Sequence, residues 1–166
     1  MKTILLIEDD RALRENTAEL LELSNYKVLT APNGKIGIAI AKENLPDVII
    51  SDIMMPEVDG YGVLKELSND EQTKNIPFIF LSAITEHKSV RKGMDLGADD
   101  YLTKPFEEED LMSAIESRLA KAELLRLGND NENSLTDNHD EIGNLNQLKN
   151  YFDDKRELDQ LMFTSF

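Results

Sequence analysis

Asp47–Val48–Ile49–Ile50–Ser51–Asp52–Ile53–Met54–Met55–Pro56 is the stretch whose reading decides the fold. Val48 to Ser51 form a short run without polar alternation, which suits a strand of a parallel sheet covered on both faces. Met54–Met55–Pro56 then turns the chain into a loop, so the carboxylate of Asp52 stands at the carboxyl end of that strand. In open parallel sheets ligands bind beyond the carboxyl ends of the strands, where the strand order reverses. Asp52 therefore serves as the point from which the other chemistry is located.

Working outward, Thr3–Ile7 reads as a second buried strand, ended by Glu8, Asp9 and Asp10. These acids suit the first turn of a helix, whose free N–H groups their carboxylates accept from. Leu13, Thr17, Leu20 and Leu21 give that helix an apolar stripe. Tyr26–Ala31 reads as a strand, and Pro32–Asn33–Gly34 as a turn into a helix carrying Ile36, Ile38, Ala39, Ile40 and Ala41, stopped by Asn44–Leu45–Pro46. Beyond Asp59–Gly60 a helix turns Val63, Leu64 and Leu67 inward, and Phe78–Leu81 is a wholly apolar strand ended by Ser82–Ala83. A helix from about Glu86 to Leu96 is closed by Gly97, and a short strand near Asp100–Leu102 leads to Thr103–Lys104–Pro105–Phe106. Acids at Glu107–Asp110 open a last helix with Leu111, Ile115, Leu119 and Ala122 along one face. Strand and helix alternate five times, the pattern of an α/β open parallel sheet with helices on both faces.

At 166 residues and 40% hydrophobic, the chain can bury the core of one α/β domain with some excess. A net charge of −15 argues against direct nucleic-acid binding, because phosphate contacts need Lys and Arg. There is no cysteine, which removes disulfides and thiolate metal sites and fits a cytoplasmic location. The amino-terminal run MKTILLIEDD is neither a signal peptide nor a membrane span, so no membrane association is expected.

Residues 1–122 carry 14 Lys and Arg against 23 Asp and Glu, a net −9, whereas residues 123–166 carry 4 against 10, a net −6 on a much shorter piece. The expected organisation is a domain at 1–122, a helix extension and polar linker at 123–141, and a short helical segment at 142–166. Gly128–Glu141, rich in Asn, Asp and Ser, supplies the linker. Ile142, Leu145, Leu148 and Phe152 recur at helical spacing in a segment too short for a core of its own, as expected of the start of a truncated output domain.

In a right-handed doubly wound sheet, Glu8–Asp9 and Asp52 end neighbouring strands at the switch point. Three carboxylates together repel unless a hard cation sits among them, and a divalent ion such as Mg²⁺ or Mn²⁺ suits such oxygen donors. Ser82 brings a hydroxyl to the same rim, and Lys104 a point charge able to hold a phosphoryl oxygen. A carboxylate nucleophile, a metal, a cation and a hydroxyl are the parts of an aspartyl-phosphate site.

Four blocks carry a resemblance: Ile4–Leu5–Leu6–Ile7–Glu8–Asp9–Asp10, Asp52–Ile53–Met54–Met55–Pro56 with Asp59–Gly60, Leu81–Ser82–Ala83, and Gly97 to Phe106. In register and all at strand ends, they resemble the receiver domain of bacterial two-component response regulators over roughly residues 1–122. The resemblance implies a flavodoxin-like five-stranded sheet in the order 2-1-3-4-5 with five helices, followed here by an acidic C-terminal extension. It implies phosphorylation of Asp52, with Mg²⁺, by a histidine kinase or phosphotransfer protein. Beyond this reaction on itself the protein is not expected to be an enzyme.

By position, the resemblance makes Asp9 a direct metal ligand and Glu8 one acting through water, with Asp52 and the Met54 backbone carbonyl completing the set. The run Glu8–Asp9–Asp10 allows a register one residue later; with Glu8–Asp9 as the pair, Asp10 becomes the helix cap. Ser82 and Lys104 would hold the phosphoryl group, Tyr101 would be the aromatic switch, and Ala83 and Pro105 would support them. Drawing Ser82 toward the phosphoryl group would let Tyr101 turn inward and reshape the face of the fourth helix, fifth strand and fifth helix. That face would also serve a homodimer, and the output would be transcription. His87 and His139 receive no role.

Met54 and Ile84 lie two positions beyond Asp52 and Ser82, where receivers control the hydrolytic water, and their apolar character implies a long-lived phosphoryl group. Competing classes fit less well. A metal-dependent phosphatase with an aspartyl nucleophile wants a second Asp where Met54 stands, and no Gly-x-x-x-x-Gly-Lys-Ser/Thr occurs. The remaining alternative is a receiver-like interaction module that acts without phosphorylation; its usual sign, loss of Asp9, Asp52 or Lys104, is absent.

Overall fold

In the computed structural model, which describes residues 1–83 and 87–133, the strands are β1 (Thr3–Ile7), β2 (Lys27–Ala31), β3 (Val48–Ser51), β4 (Phe78–Ser82) and β5 (Asp100–Thr103). All pair in parallel, in the order β2-β1-β3-β4-β5 that the resemblance implied. The helices are α1 (Arg11–Leu23), α2 (Gly34–Asn44), α3 (Gly60–Ser68), α4 (His87–Asp95) and α5 (Glu108–Asn133).

Successive side chains of a strand point to opposite faces, and the core divides accordingly. Ile4 and Leu6 of β1, Val48 and Ile50 of β3 and Ile79 and Leu81 of β4 meet Leu21 of α1 and Leu111 and Ile115 of α5. Leu5, Ile7, Ile49, Phe78 and Phe80 meet Ala41 of α2 and Val63, Leu64 and Leu67 of α3. Every residue of β3 and β4 is buried, which is why these strands read as continuous apolar runs.

Three details differ from the sequence reading. Tyr26 precedes β2 rather than opening it, because its N–H bonds the Leu21 carbonyl across the end of α1 instead of a strand. The buried positions of α2 are Gly34, Gly37 and Ala41, while Ile36 is 41% exposed and Ile38 and Ile40 pack only partly buried against the core. A Cβ on Gly37 would run into the Ile7 side chain, so α2 lies against the sheet only where its residues are small. Finally, α5 runs to Asn133, through the start of the stretch read as linker. One glycine costs a helix about 1 kcal/mol, too little to stop a helix already propagating through Leu124, Leu125 and Leu127.

The chain divides into two compact units, Met1–Ala122 and Glu123–Phe166. The segment at 142–166, His139 and Ile84 lie outside the described residues. Among the described residues no helix is long and apolar enough to cross a membrane.

Candidate functional site

Backbone bonds just past the strand ends fix the groups of interest. The Glu8 N–H donates to the Ala31 carbonyl, the Asp52 N–H to the Ile7 carbonyl and the Lys104 N–H to the Ser82 carbonyl, at 3.0, 2.9 and 2.8 Å. Each residue thus continues its strand's ladder by one step, and Glu8, Asp52 and Lys104 come out at one rim. Asp10 is the N-cap of α1, its carboxylate accepting from the Leu13 N–H at 3.1 Å. Glu8, Asp9 and Asp52 each bring a carboxylate oxygen within 4.8 Å of the others, Glu8 and Asp52 buried and Asp9 exposed.

The loop after β3 is held close beneath Asp52. The Gly60 N–H donates to the Ile53 carbonyl at 2.8 Å, and a Cβ on Gly60 would collide with the Asp52 carbonyl. Only glycine lets α3 begin there, which gives the Asp59–Gly60 pair its physical reason; Asp59 caps α3 by accepting from the Gly62 N–H.

Lys104 bridges the two buried acids, its Nζ 2.9 Å from Glu8 Oε2 and 3.2 Å from Asp52 Oδ2. Asp52 Oδ1 accepts from the Ile53 N–H at 2.7 Å, which orients the carboxylate with its other oxygen toward Lys104. Burial raises the Glu8 carboxyl above its ordinary value, and the Asp52 charge adds to this, while the Lys104 hydrogen bond opposes it. Burial alone would lower the Lys104 ammonium, yet the bond to Glu8 and the Asp52 charge raise it, so it stays a cation.

Ser82 is buried at the end of β4, and Tyr101 on β5 is half-buried. The Tyr101 phenol is raised by burial first, opposed by a side-chain hydrogen bond with Ser82 and reinforced by the charge of Asp52. Its ring lies tilted against Phe80, centroids 6.1 Å apart. The two residues named as the switch pair are therefore already joined. Met54 is 66% exposed, and Ala83 and Pro105 are exposed at the ends of their strands. His87 opens α4.

Two contacts escaped the sequence reading. Arg14 Nη1 donates to the Glu8 carbonyl at 2.8 Å, tying α1 to the acidic turn. Tyr61 donates its hydroxyl to the Ser89 carbonyl at 3.0 Å, joining α3 to α4. Neither leaves a sequence signal, because each depends on how helices pack.

Among relatives, the chain is 39% identical over 123 residues to the DNA-binding dual master transcriptional regulator RpaA of Synechocystis, across 74% of this chain and 51% of that protein. It is 37% identical over 120 residues to the phosphate regulon transcriptional regulatory protein PhoB of Pseudomonas aeruginosa, across 72% of this chain and 52% of that protein. The chain spans about half the length of the curated relatives it matches. A response regulator receiver domain protein from Clostridium thermocellum superposes with a TM-score of 0.71 at 32% identity, covering 75% of this chain and 99% of that one. The family model for the response regulator receiver domain matches residues 4–116, and by that match the chain belongs to this family.

Proposed function

We propose that the protein is a phosphorylation-activated signalling switch that receives a phosphoryl group on Asp52 and passes the change to a transcriptional output. The observation that carries this reading is the meeting of buried Asp52 with the Glu8 and Asp9 carboxylates within 4.8 Å, bridged by Lys104. Receiver domains of response regulators interact with histidine kinases or phosphotransfer proteins and bind Mg²⁺ at an acidic pocket. The curated relatives named above are transcriptional regulators, which supports the output. The family and the cysteine-free sequence support a cytoplasmic site of action.

The donor set fits a hard divalent cation: all oxygen, at least two buried, and clustered despite mutual repulsion. Asp9, Asp52 and the Met54 carbonyl would hold it, with Glu8 acting through water; when bound, such an ion draws charge from phosphoryl oxygens. The chain's own residues do the rest. The Ile53 N–H holds Asp52 in one orientation, from which a carboxylate oxygen attacks the phosphorus of the donor. A new O–P bond forms as the donor's N–P bond breaks, and the electron pair leaves with the imidazole. Lys104 exchanges its carboxylate partners for the new phosphoryl oxygens. The Ser82 hydroxyl, now shared with Tyr101, is drawn toward the same group, and Tyr101 is the residue whose surroundings then change.

Acetyl phosphate supplies a test. With Mg²⁺ the protein gains one phosphoryl mass and with a chelator it does not; incorporation that ignores the chelator contradicts the proposed metal dependence. Apolar Met54 beside the acceptor gives a hydrolytic water no polar anchor, so after donor removal the group is expected to persist for minutes or longer. Met54→Asn, which offers the water such an anchor, shortens that lifetime. A wild-type half-life of seconds contradicts the expectation.

A further inference from the structure

α4 is weakly held. Among its described side chains from Lys88 to Asp95 only Gly93 is buried, packed where a Cβ would meet the Phe80 ring at 2.9 Å. Met94 is 44% exposed, and among the described residues Arg91 pairs with Asp95 of the same helix, at 3.9 Å. A helix that buries so little apolar surface belongs to the low-stability end of a fold, where one or two contacts decide its position.

Beside the packing of Gly93 on Phe80 and Tyr101, Tyr61 supplies two further contacts. Its hydroxyl donates to the Ser89 carbonyl, its ring lies 4.5 Å beneath the Lys92 ammonium, and its edge meets Phe80 at 5.4 Å between centroids. Phe80 in turn carries Tyr101. On its other side Tyr61 follows Gly60, whose backbone is jammed against Asp52 and bonded to Ile53. The path from the acceptor to α4 through Tyr61 thus has no slack: Asp52 to Gly60 by backbone contact, Gly60 to Tyr61 by the chain, and Tyr61 to α4 by a hydrogen bond and a cation over its ring. It reaches α4 through the Tyr61 hydroxyl and ring and meets the Ser82–Tyr101 contact at Phe80, which both tyrosines touch.

We propose that Tyr61 is a second coupling residue, a latch that holds α4 in its unmodified position and is released when Asp52 is phosphorylated. This rests on Asp52 being the acceptor, as argued above. It makes Tyr61 a positioning residue, acting on α4 and not on the phosphoryl group.

Amide hydrogen exchange followed by mass spectrometry tests it on the full chain, comparing wild type with Tyr61→Phe and Lys92→Gln, each with and without acetyl phosphate and Mg²⁺. In unmodified Tyr61→Phe, peptides covering 87–97 are expected to exchange about fivefold faster, the effect of losing one net hydrogen bond, while those covering 48–52 and 78–82 do not change. Lys92→Gln, which keeps the hydroxyl, loosens the same peptides less. On phosphorylation, α4 of the wild type loosens toward the level of unmodified Tyr61→Phe, and the variant shows little further change. Equal α4 exchange in unmodified wild type and Tyr61→Phe overturns the latch. So does a phosphorylation-dependent change in α4 that survives undiminished in the variant at equal phosphoryl occupancy. Intact mass in the same samples reports the acceptor separately: an unphosphorylated wild type overturns the acceptor reading and with it the coupling, even if α4 proves latched.

Discussion

Lys104→Ala is expected to bind Mg²⁺ more tightly than the wild type while losing the response to phosphorylation. The ammonium lies within 3.2 Å of both buried carboxylates, so it occupies part of the charge that a cation would neutralise. Unit charges at such separations interact by about 4 kcal/mol near a protein surface, and solvent reaching the partly exposed lysine reduces this to about 1–3 kcal/mol, roughly fivefold to 150-fold in affinity. Calorimetric titration with Mg²⁺ reads the change directly; unchanged or weaker binding would contradict it. The same titration carries a pH dependence of definite sign. A protonated Glu8 cannot take part in a cation site, and its carboxyl titrates above the ordinary value of 4.5. Wild-type affinity therefore falls as pH drops through that raised value, and it falls at higher pH in Lys104→Ala, where the opposing hydrogen bond is gone.

Phe80→Ala is the substitution with the largest expected cost in stability. Its ring is fully buried on β4, meets Phe78, Tyr61 and Tyr101 at centroid distances of 5.1, 5.4 and 6.1 Å, and supports Gly93 of α4. Emptying such a site costs about 3–5 kcal/mol, since the aromatic neighbours cannot all collapse into the space. The melting midpoint should fall on the order of 10 °C. Urea unfolding checks this as a lower midpoint at unchanged slope, and a loss below about 1 kcal/mol would show that the ring cluster relaxes far more than its packing implies. Phe80 also joins Tyr61 to Tyr101, so the destabilised protein should lose order in α4 before the sheet.

The strands β1, β3 and β4 were legible because each is a nearly continuous apolar run buried on both faces, whereas the edge strands β2 and β5 are only partly buried. Their polar ends were legible for a related reason. Glu8 and Asp52 each directly follow a buried run and Lys104 directly follows the edge strand β5, so each charge stands at the rim. Asp10 illustrates what sequence alone left open: two registers of the acidic run were compatible with it, and in the structure Asp10 caps α1 while Glu8 and Asp9 stand beside Asp52. The buried face of α2 was not legible. Isoleucines dominate its apolar pattern, yet its fully buried positions are small, because Ile7 fills the space at Gly37 and Val58 and Val63 fill it at Gly34. Nor was the Lys104 bridge, since nothing in the chain says that an ammonium near residue 104 spans two carboxylates separated by 44 positions. Tyr61 looked like one more residue of an amphipathic helix, and only the approach of α4 gives its hydroxyl and ring their partners.

The central claim is that Asp52 accepts a phosphoryl group. It is tested most directly by intact-mass measurement of wild type and Asp52→Ala after incubation with acetyl phosphate and Mg²⁺. A single added phosphoryl mass in the wild type and none in the variant is the expected result. A folded wild type that gains no mass from this or a second small-molecule donor would contradict the switch and favour a receiver-shaped interaction module. An adduct that survives Asp52→Ala would contradict the assignment of the acceptor.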